Sequence, residues 1–242
     1  KWRGAMSAER RGVVRNCLGV GLAVGAYGFA FGAASVAAGL SVLQTCLLSL
    51  LAFTGGTQFA VVGVVSGGGT MAAALSSGLL LGSRNALYAM RLAPLLRVRG
   101  PRRLLAALGT IDESTAMAVA QRDDELGRVA FWWTFGAVFA VWNVATLLGA
   151  AGASAIGDPG TFGLDAVIPA AFLALLAPRL RAGHVERRVA VGGAVIAFVL
   201  IPITPAGVPV LASTAALLLA GRFPRARPVD APPGDRTRGE VP

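Results

Sequence analysis

The sequence predicts an all-α, polytopic membrane protein, and three observations carry that prediction. Only 14% of the 242 residues are charged, against roughly 25% in a soluble domain, while 55% are apolar. Mean hydropathy is +0.67. The charges are also clustered: residues 16–83, 129–157 and 189–221 contain no Asp, Glu, Lys or Arg. A membrane span needs about 20 mostly apolar residues, so the first stretch alone has room for about three. This composition excludes an ordinary soluble enzyme, a disordered protein and a nucleic-acid module. The net charge of +10 does not point to nucleic acid, because the basic residues lie at the chain ends or between apolar runs, apart from Arg84 and Arg91. In a membrane protein such loops report orientation, Lys and Arg being retained on the cytoplasmic side.

Residues 1–15 carry five basic residues and one acid and are expected to be a cytoplasmic segment. The apolar run that follows is too long for the h-region of a signal peptide. Residues 16–221 form the expected transporter domain. Its first span covers about Cys17–Leu40, where Gly21, Gly25, Gly28 and Gly32 form one smooth stripe. Small residues at that spacing let helices approach closely in lipid. Tyr27, Phe29 and Phe31 are read as packing residues in the same span.

The second run, Val42–Val65, is broken by Thr54-Gly55-Gly56-Thr57-Gln58, and Gly67-Gly68-Gly69 makes a second break. Irregular backbone at membrane depth is tolerated only inside protein or beside a water-filled cavity. The third run, Met71–Leu96, holds Arg84, Asn85, Tyr88 and Arg91, with Arg84, Tyr88 and Arg91 on one helical face. Four arginines follow between residues 97 and 103. The run Leu104–Gln121 is short and interrupted by Thr110-Ile111-Asp112-Glu113-Ser114-Thr115. Val129–Gly149 opens with Trp132 and Trp133, where an aromatic belt is expected, and also contains Trp142 and Asn143. Leu164–Leu180 carries Asp165 at its outer end and Pro169 inside. Val189–Ile203 and Val208–Gly221 form a final hairpin with a charge-free outer turn. Residues 222–242 are Pro-, Arg- and Asp-rich and read as a disordered cytoplasmic tail.

Parity constrains the topology. Three full spans before residue 97 would place the four-arginine loop outside. If Val42–Val65 instead dips in and returns on one side, that loop falls inside, and 104–121 must also return to its own side. The expectation is six full spans plus two broken or re-entrant segments, with both termini cytoplasmic; eight crossings are the alternative. Broken helices in two halves would suggest an inverted repeat, although no sequence echo is evident between the halves.

Discontinuous helices are how secondary transporters build sites near the bilayer midplane. Three polar clusters qualify here: Gly55–Gln58, Gly82–Tyr88 and Thr110–Thr115. An ionisable group within a membrane run is a functional candidate by default. Arg84 lies deep in its run and suits a substrate carboxylate; the alternative is a structural ion pair with Asp112 or Glu113. Arg91 lies nearer the cytoplasmic end and can snorkel. Asp112 and Glu113 point about 100° apart on a helix, so one could pair with Arg while the other exchanges a coupling proton; as the alternative, they cap a half-helix end near water. The candidate binding set is Gly55, Gly56, Gln58, Arg84, Asn85 and Tyr88, with Asp112 and Glu113 for proton coupling or ion pairing. Cys17 and Cys46 read as buried small residues, and the single His184 as solvated. No cofactor, metal or nucleic acid is expected.

The motifs resemble those of the AzlC family of branched-chain amino acid permeases. They are Tyr27-Gly28-Phe29-Ala30-Phe31-Gly32, Ala52-Phe53-Thr54-Gly55-Gly56-Thr57-Gln58-Phe59-Ala60, Arg84-Asn85-Ala86-Leu87-Tyr88 with Leu92-Ala93-Pro94, Asp112-Glu113, Phe162-Gly163-Leu164-Asp165 and Phe172-Leu173-Ala174-Leu175-Leu176. Their order covers about residues 12–221. The resemblance implies export of branched-chain amino acids across a bacterial cytoplasmic membrane, with a small AzlD-type membrane protein as partner and a proton gradient as the candidate energy source. Where the family often has His after the Arg, this chain has Asn85, so a proton role would fall to Asp112 or Glu113. A channel or permease for another small zwitterionic or anionic solute is the alternative. An intramembrane enzyme would need a nucleophile–base pair or metal ligands, and the lone loop His184 argues against it.

Overall fold

A computed structural model describes residues 2–156, 167–205 and 207–220, and every element among them is helical. Twelve α-helices and a terminal 3-10 segment follow in order: α1 (Trp2–Gly25), α2 (Tyr27–Ala37), α3 (Val42–Leu51), α4 (Gly55–Ser66), α5 (Met71–Gly82), α6 (Arg84–Leu96), α7 (Pro101–Leu108), α8 (Asp112–Val119), α9 (Asp124–Ile156), α10 (Val167–Ala182), α11 (His184–Leu200), α12 (Val208–Ser213) and the 3-10 turn Thr214–Ala220. Two helical stretches are long and apolar enough to cross a bilayer alone: Ala8–Ala37, across the α1–α2 junction, and Asp124–Ile156. The other apolar runs are divided. Ser83 interrupts Met71–Leu96 while keeping helical dihedrals (φ −59°, ψ −26°), and its hydroxyl donates to the Leu80 carbonyl at 2.6 Å. The expected outer end of the sixth run, with Asp165 and the Phe162–Asp165 motif, lies outside the described residues, as does the 222–242 tail.

The glycine stripe of the first span meets α9. A methyl at Gly25 would sit 2.6 Å from Val141 Cβ, and one at Gly28 or Gly32 would strike the backbone carbonyls of Trp142 and Thr146. The fit is mutual, because a methyl at Gly149 would strike the Phe29 carbonyl. The missing side chains let the two backbones touch, which is what association in lipid requires when no hydrophobic gain drives it. Gly21 faces Ala137, Gly25 faces Val141 and Gly32 faces Thr146 and Ala150. Residue numbers rise together, so α1–α2 and α9 run parallel.

The α5–α6 unit runs the other way. Arg128 Nη1 donates to the Leu95 carbonyl at 3.2 Å, and Leu92 and Leu96 share a buried cluster with Phe131, near the start of α9. Arg84, eleven residues earlier than Leu95, lies beside Gly56, whose neighbour Gly55 abuts the Trp142 ring. The chain therefore descends past α9 from its middle to its first turns.

Between these long units lie two hairpins of half-helices. Helix α3 starts at the far end of α2, with Ser41 and Gln44 forming a reciprocal cap, and brings Ser49 to Asn143 (2.8 Å). The chain turns at Ala52–Thr54 and α4 returns to the same end, where Gly68 (φ +74°) makes the turn into α5. Helix α7 enters from the opposite end: Ala106 packs with Leu92, Leu96 and Phe131, and Gly109 reaches the Phe135 ring. After Thr110–Ile111, α8 returns, and Ala118 rejoins that lower cluster. The two hairpin tips meet in the middle of the bundle. At the upper end, Gly207 (φ +96°), after α11, lies against Val64 and Ala73, so the turn of the last hairpin sits over the α4–α5 junction.

Candidate functional site

A cavity of about 440 Å³ occupies the place where the two tips meet. That lies within the range of small-ligand pockets, roughly 300–1,000 Å³. One wall is the α3–α4 tip, Phe53 to Gly56, and the opposite wall is the α7–α8 tip, Ile111 to Glu113. The two helix breaks supply further lining: Val24 and Tyr27 from α1–α2, Leu81 and Arg84 from α5–α6. Val138 and Trp142 of α9 close the back, with Phe59 and Leu176 completing the apolar lining.

Each tip is held by a buried polar side chain. Gln58, fully buried, donates through Nε2 to the Ser49 carbonyl (3.2 Å) at the C-terminal end of α3 and, more distantly, to the Leu48 carbonyl (3.5 Å), which also accepts from the Ala52 N–H. Ser114, also fully buried, accepts from the Ile111 N–H at 3.2 Å and donates to the Gly109 carbonyl. Beneath them, Phe31, Phe59 and Trp142 form an aromatic layer with ring centroids 5.6–6.4 Å apart. Phe59 and Trp142 of this layer line the cavity.

Of the residues singled out from the sequence, Gly55, Gly56, Arg84, Asp112 and Glu113 line the cavity. Arg84 Nη2 and Asp112 Oδ2 are 2.9 Å apart, with side chains 32% and 37% exposed. Gly56 completes the pair's surroundings, since a methyl there would stand 3.2 Å from Arg84 Nη2. The Nε of Arg84 and the second carboxylate oxygen of Asp112 are buried without a hydrogen-bond partner, as is Trp142 Nε1. Gln58, Asn85 and Tyr88 are not among the lining residues; Gln58 faces the α3 carbonyls instead. Phe31 packs in the core, as its pattern suggests, but Tyr27 and Phe29 are 48% and 54% exposed, and Tyr27 lines the cavity, because at about 100° per residue it lies well around the helix from the Gly21–Gly32 stripe. Arg91 is exposed, and His184 begins α11, 2.8 Å from Arg187 Nη2 through Nδ1. Among the described residues no group of three or more His, Cys, Asp or Glu is placed to hold a metal ion.

Sequence reasoning missed Val24, Tyr27, Leu81 and Trp142 as lining residues. The signal for the first three was the position of the helix breaks, one or two residues away in each case.

The AzlC protein family matches residues 19–156, a stretch that contains every cavity-lining residue named above except Leu176. The chain belongs to the AzlC family. An uncharacterized membrane protein of Archaeoglobus fulgidus is 32% identical over 195 residues, 80% of this chain and 85% of that protein. The inner membrane protein YgaZ of Escherichia coli K12 is 27% identical over 156 residues, 61% of this chain and 64% of that protein. No solved structure matches. This is an AzlC-family membrane protein in which two hairpin tips and Arg84 converge on one cavity.

Proposed function

We propose that this AzlC-family chain is the transporting subunit of a secondary transporter that exports branched-chain amino acids, acting with a small AzlD-type membrane protein. The observation that carries this reading is the Arg84–Asp112 pair inside a cavity whose lining is mostly apolar. A neutral zwitterion can replace that pair without changing the charge of the site. Its carboxylate takes the Arg84 guanidinium in the bidentate geometry that arginine favours, and its ammonium takes Asp112. The unpartnered Arg84 Nε and Asp112 Oδ1 offer the additional hydrogen-bonding capacity that such an exchange needs. Phe53, Phe59, Val138 and Trp142 provide an apolar surface for a branched side chain. Glu113, in the same first turn as Asp112, is the proton carrier in this scheme.

The opposed hairpins also support a specific topology. With α1–α2 and α9 parallel and α5–α6 antiparallel to them, the basic N-terminal segment and the 97–103 loop share one side. On the positive-inside rule that side is cytoplasmic. The α3–α4 hairpin is then re-entrant from outside and α7–α8 from inside, within a six-span scheme that keeps both termini in the cytoplasm of a bacterial cell.

The test is efflux of preloaded radiolabelled leucine, valine and methionine from cells expressing this chain, with and without its genomic small-membrane-protein neighbour and with a protonophore. Efflux that requires the neighbour and collapses with the protonophore is expected. No efflux with both proteins in the membrane would overturn the substrate assignment and direct the search to other small zwitterions or anions, which the same Arg84 would accommodate.

A further inference from the structure

The two helix breaks and the two hairpin tips are spaced alike. Ala26 breaks α1 from α2 and Ser83 breaks α5 from α6, 57 residues later. Thr54 precedes α4 and Ile111 precedes α8, also 57 residues later. The same offset relates the cavity lining across its two walls. Val24 corresponds to Leu81 and Tyr27 to Arg84, each pair flanking its helix break. Thr54, Gly55 and Gly56 correspond to Ile111, Asp112 and Glu113. All ten of these residues line the cavity. The first unit, a broken long helix followed by a hairpin, runs parallel to α9, and the second runs antiparallel to it, so the units are inverted. Both lie between Cys17 and Val119, within one half of the chain, where a comparison of the two halves does not reveal them.

The repeat has kept geometry and changed chemistry. At matched positions the second unit carries a guanidinium and two carboxyls, where the first carries a phenol and two glycines. A site with charges on one wall only sorts a ligand that is charged at one end only.

We infer that the cavity is the junction of an inverted repeat whose two halves divide an amino acid between them. The Arg84 and Asp112 half takes the ammonium and carboxylate common to all amino acids. The Val24, Tyr27 and Gly55 half takes the side chain and sets which amino acid is accepted. The division rests on the amino-acid reading of the site proposed above. Two features give the second half its shape. Gly55 leaves open the space in which a methyl would stand 3.0 Å from Trp142 Cη2, and Val24 sits one helical turn from Tyr27 on the same face.

The experiment is equilibrium binding of leucine and alanine to the full chain in lipid nanodiscs, with thermal unfolding run alongside to confirm that each variant is folded. Gly55→Ala and Val24→Phe are expected to weaken leucine about tenfold or more, the range for one or two methylenes in an apolar pocket, while alanine changes much less. Arg84→Gln is expected to weaken both ligands equally. Should Val24→Phe fail to fold, Val24→Ala serves in its place, and it is expected to improve binding of phenylalanine relative to leucine. Equal loss of leucine and alanine in the Gly55 and Val24 variants would overturn the division of the cavity and leave the amino-acid reading standing. Wild-type protein that binds neither ligand would overturn the amino-acid reading and the division with it.

Discussion

The α3–α4 and α7–α8 hairpins reach the same depth from opposite ends, yet they are built from different materials. The α3–α4 tip is Thr54-Gly55-Gly56, with no charge, and it is stabilised by a long amide, Gln58, reaching back to the carbonyls of α3. The α7–α8 tip ends in Asp112-Glu113 and is stabilised by a hydroxyl, Ser114, that satisfies its own turn. Acidic residues in the first turn of α8 also complement the partial positive charge at a helix N-terminus, a compensation that α4 lacks. The contrast teaches that a shared architecture does not require shared chemistry. One tip can be specialised as a smooth wall and the other as a charged one, provided each closes its own backbone hydrogen bonds.

Several substitutions would break or sharpen this contrast. The largest effect is expected at Arg84, which stands between the tips. Arg84→Ala should abolish leucine efflux while the protein remains in the membrane by surface labelling or fractionation; wild-type efflux in that variant would remove the arginine from the binding scheme. Next come the two acids of the charged tip, which should separate. Asp112→Asn loses the 2.9 Å partner of Arg84 and should nearly eliminate efflux. Glu113→Gln should instead retain leucine binding and lose protonophore sensitivity. Equal and negligible losses in the two variants would make the acids structural. On the uncharged hairpin, Gln58→Leu strands the buried Ser49 carbonyl, while the Leu48 carbonyl keeps its bond from the Ala52 N–H, and should cost about 1–3 kcal/mol, read as a lower midpoint in thermal unfolding. The smallest change is expected from Ser114→Ala, about 1 kcal/mol in the same assay, because the Ile111 N–H keeps its bond to the Gly109 carbonyl. A larger loss at Ser114 than at Gln58 would reverse the view of which tip depends more on its internal bonding.

Much of the fold was legible because hydropathy and breaks are local properties. The charge-free stretches gave the helices, and the glycine pair at 55–56 and the polar run at 110–115 marked both tips. The glycine stripe from Gly21 to Gly32 was readable as a packing face, but its partner was not, since nothing in residues 16–37 specifies a parallel neighbour a hundred positions away. The possible Arg84–Asp112 pairing could be named for the same reason the site could: both are costly in lipid and need a counterpart. What escaped was orientation. Gln58 looks like a ligand-binding amide in a polar motif, yet the turn at Ala52–Thr54 folds α3 beside it and directs its Nε2 to backbone carbonyls. Tyr27 looks like part of an aromatic packing run, yet it lies off the glycine stripe that meets α9 and lines the cavity. Each outcome depends on which neighbouring segment packs against the residue, which composition and spacing do not encode.

The parallel contact between the first long helix and α9 has a consequence for biosynthesis. Among the described residues, the glycine face of residues 21–32 finds its complement in residues 137–150. At ~5–20 residues per second, synthesis of the intervening chain takes on the order of ten seconds. Throughout that interval the nascent first span holds its place in the bilayer with its contact face bare, and neither hairpin has a finished wall to lean on. Assembly of this bundle is therefore gated by emergence of its third long segment from the ribosome, and a chain truncated before Ala137 would offer quality-control proteases an unclosed glycine surface.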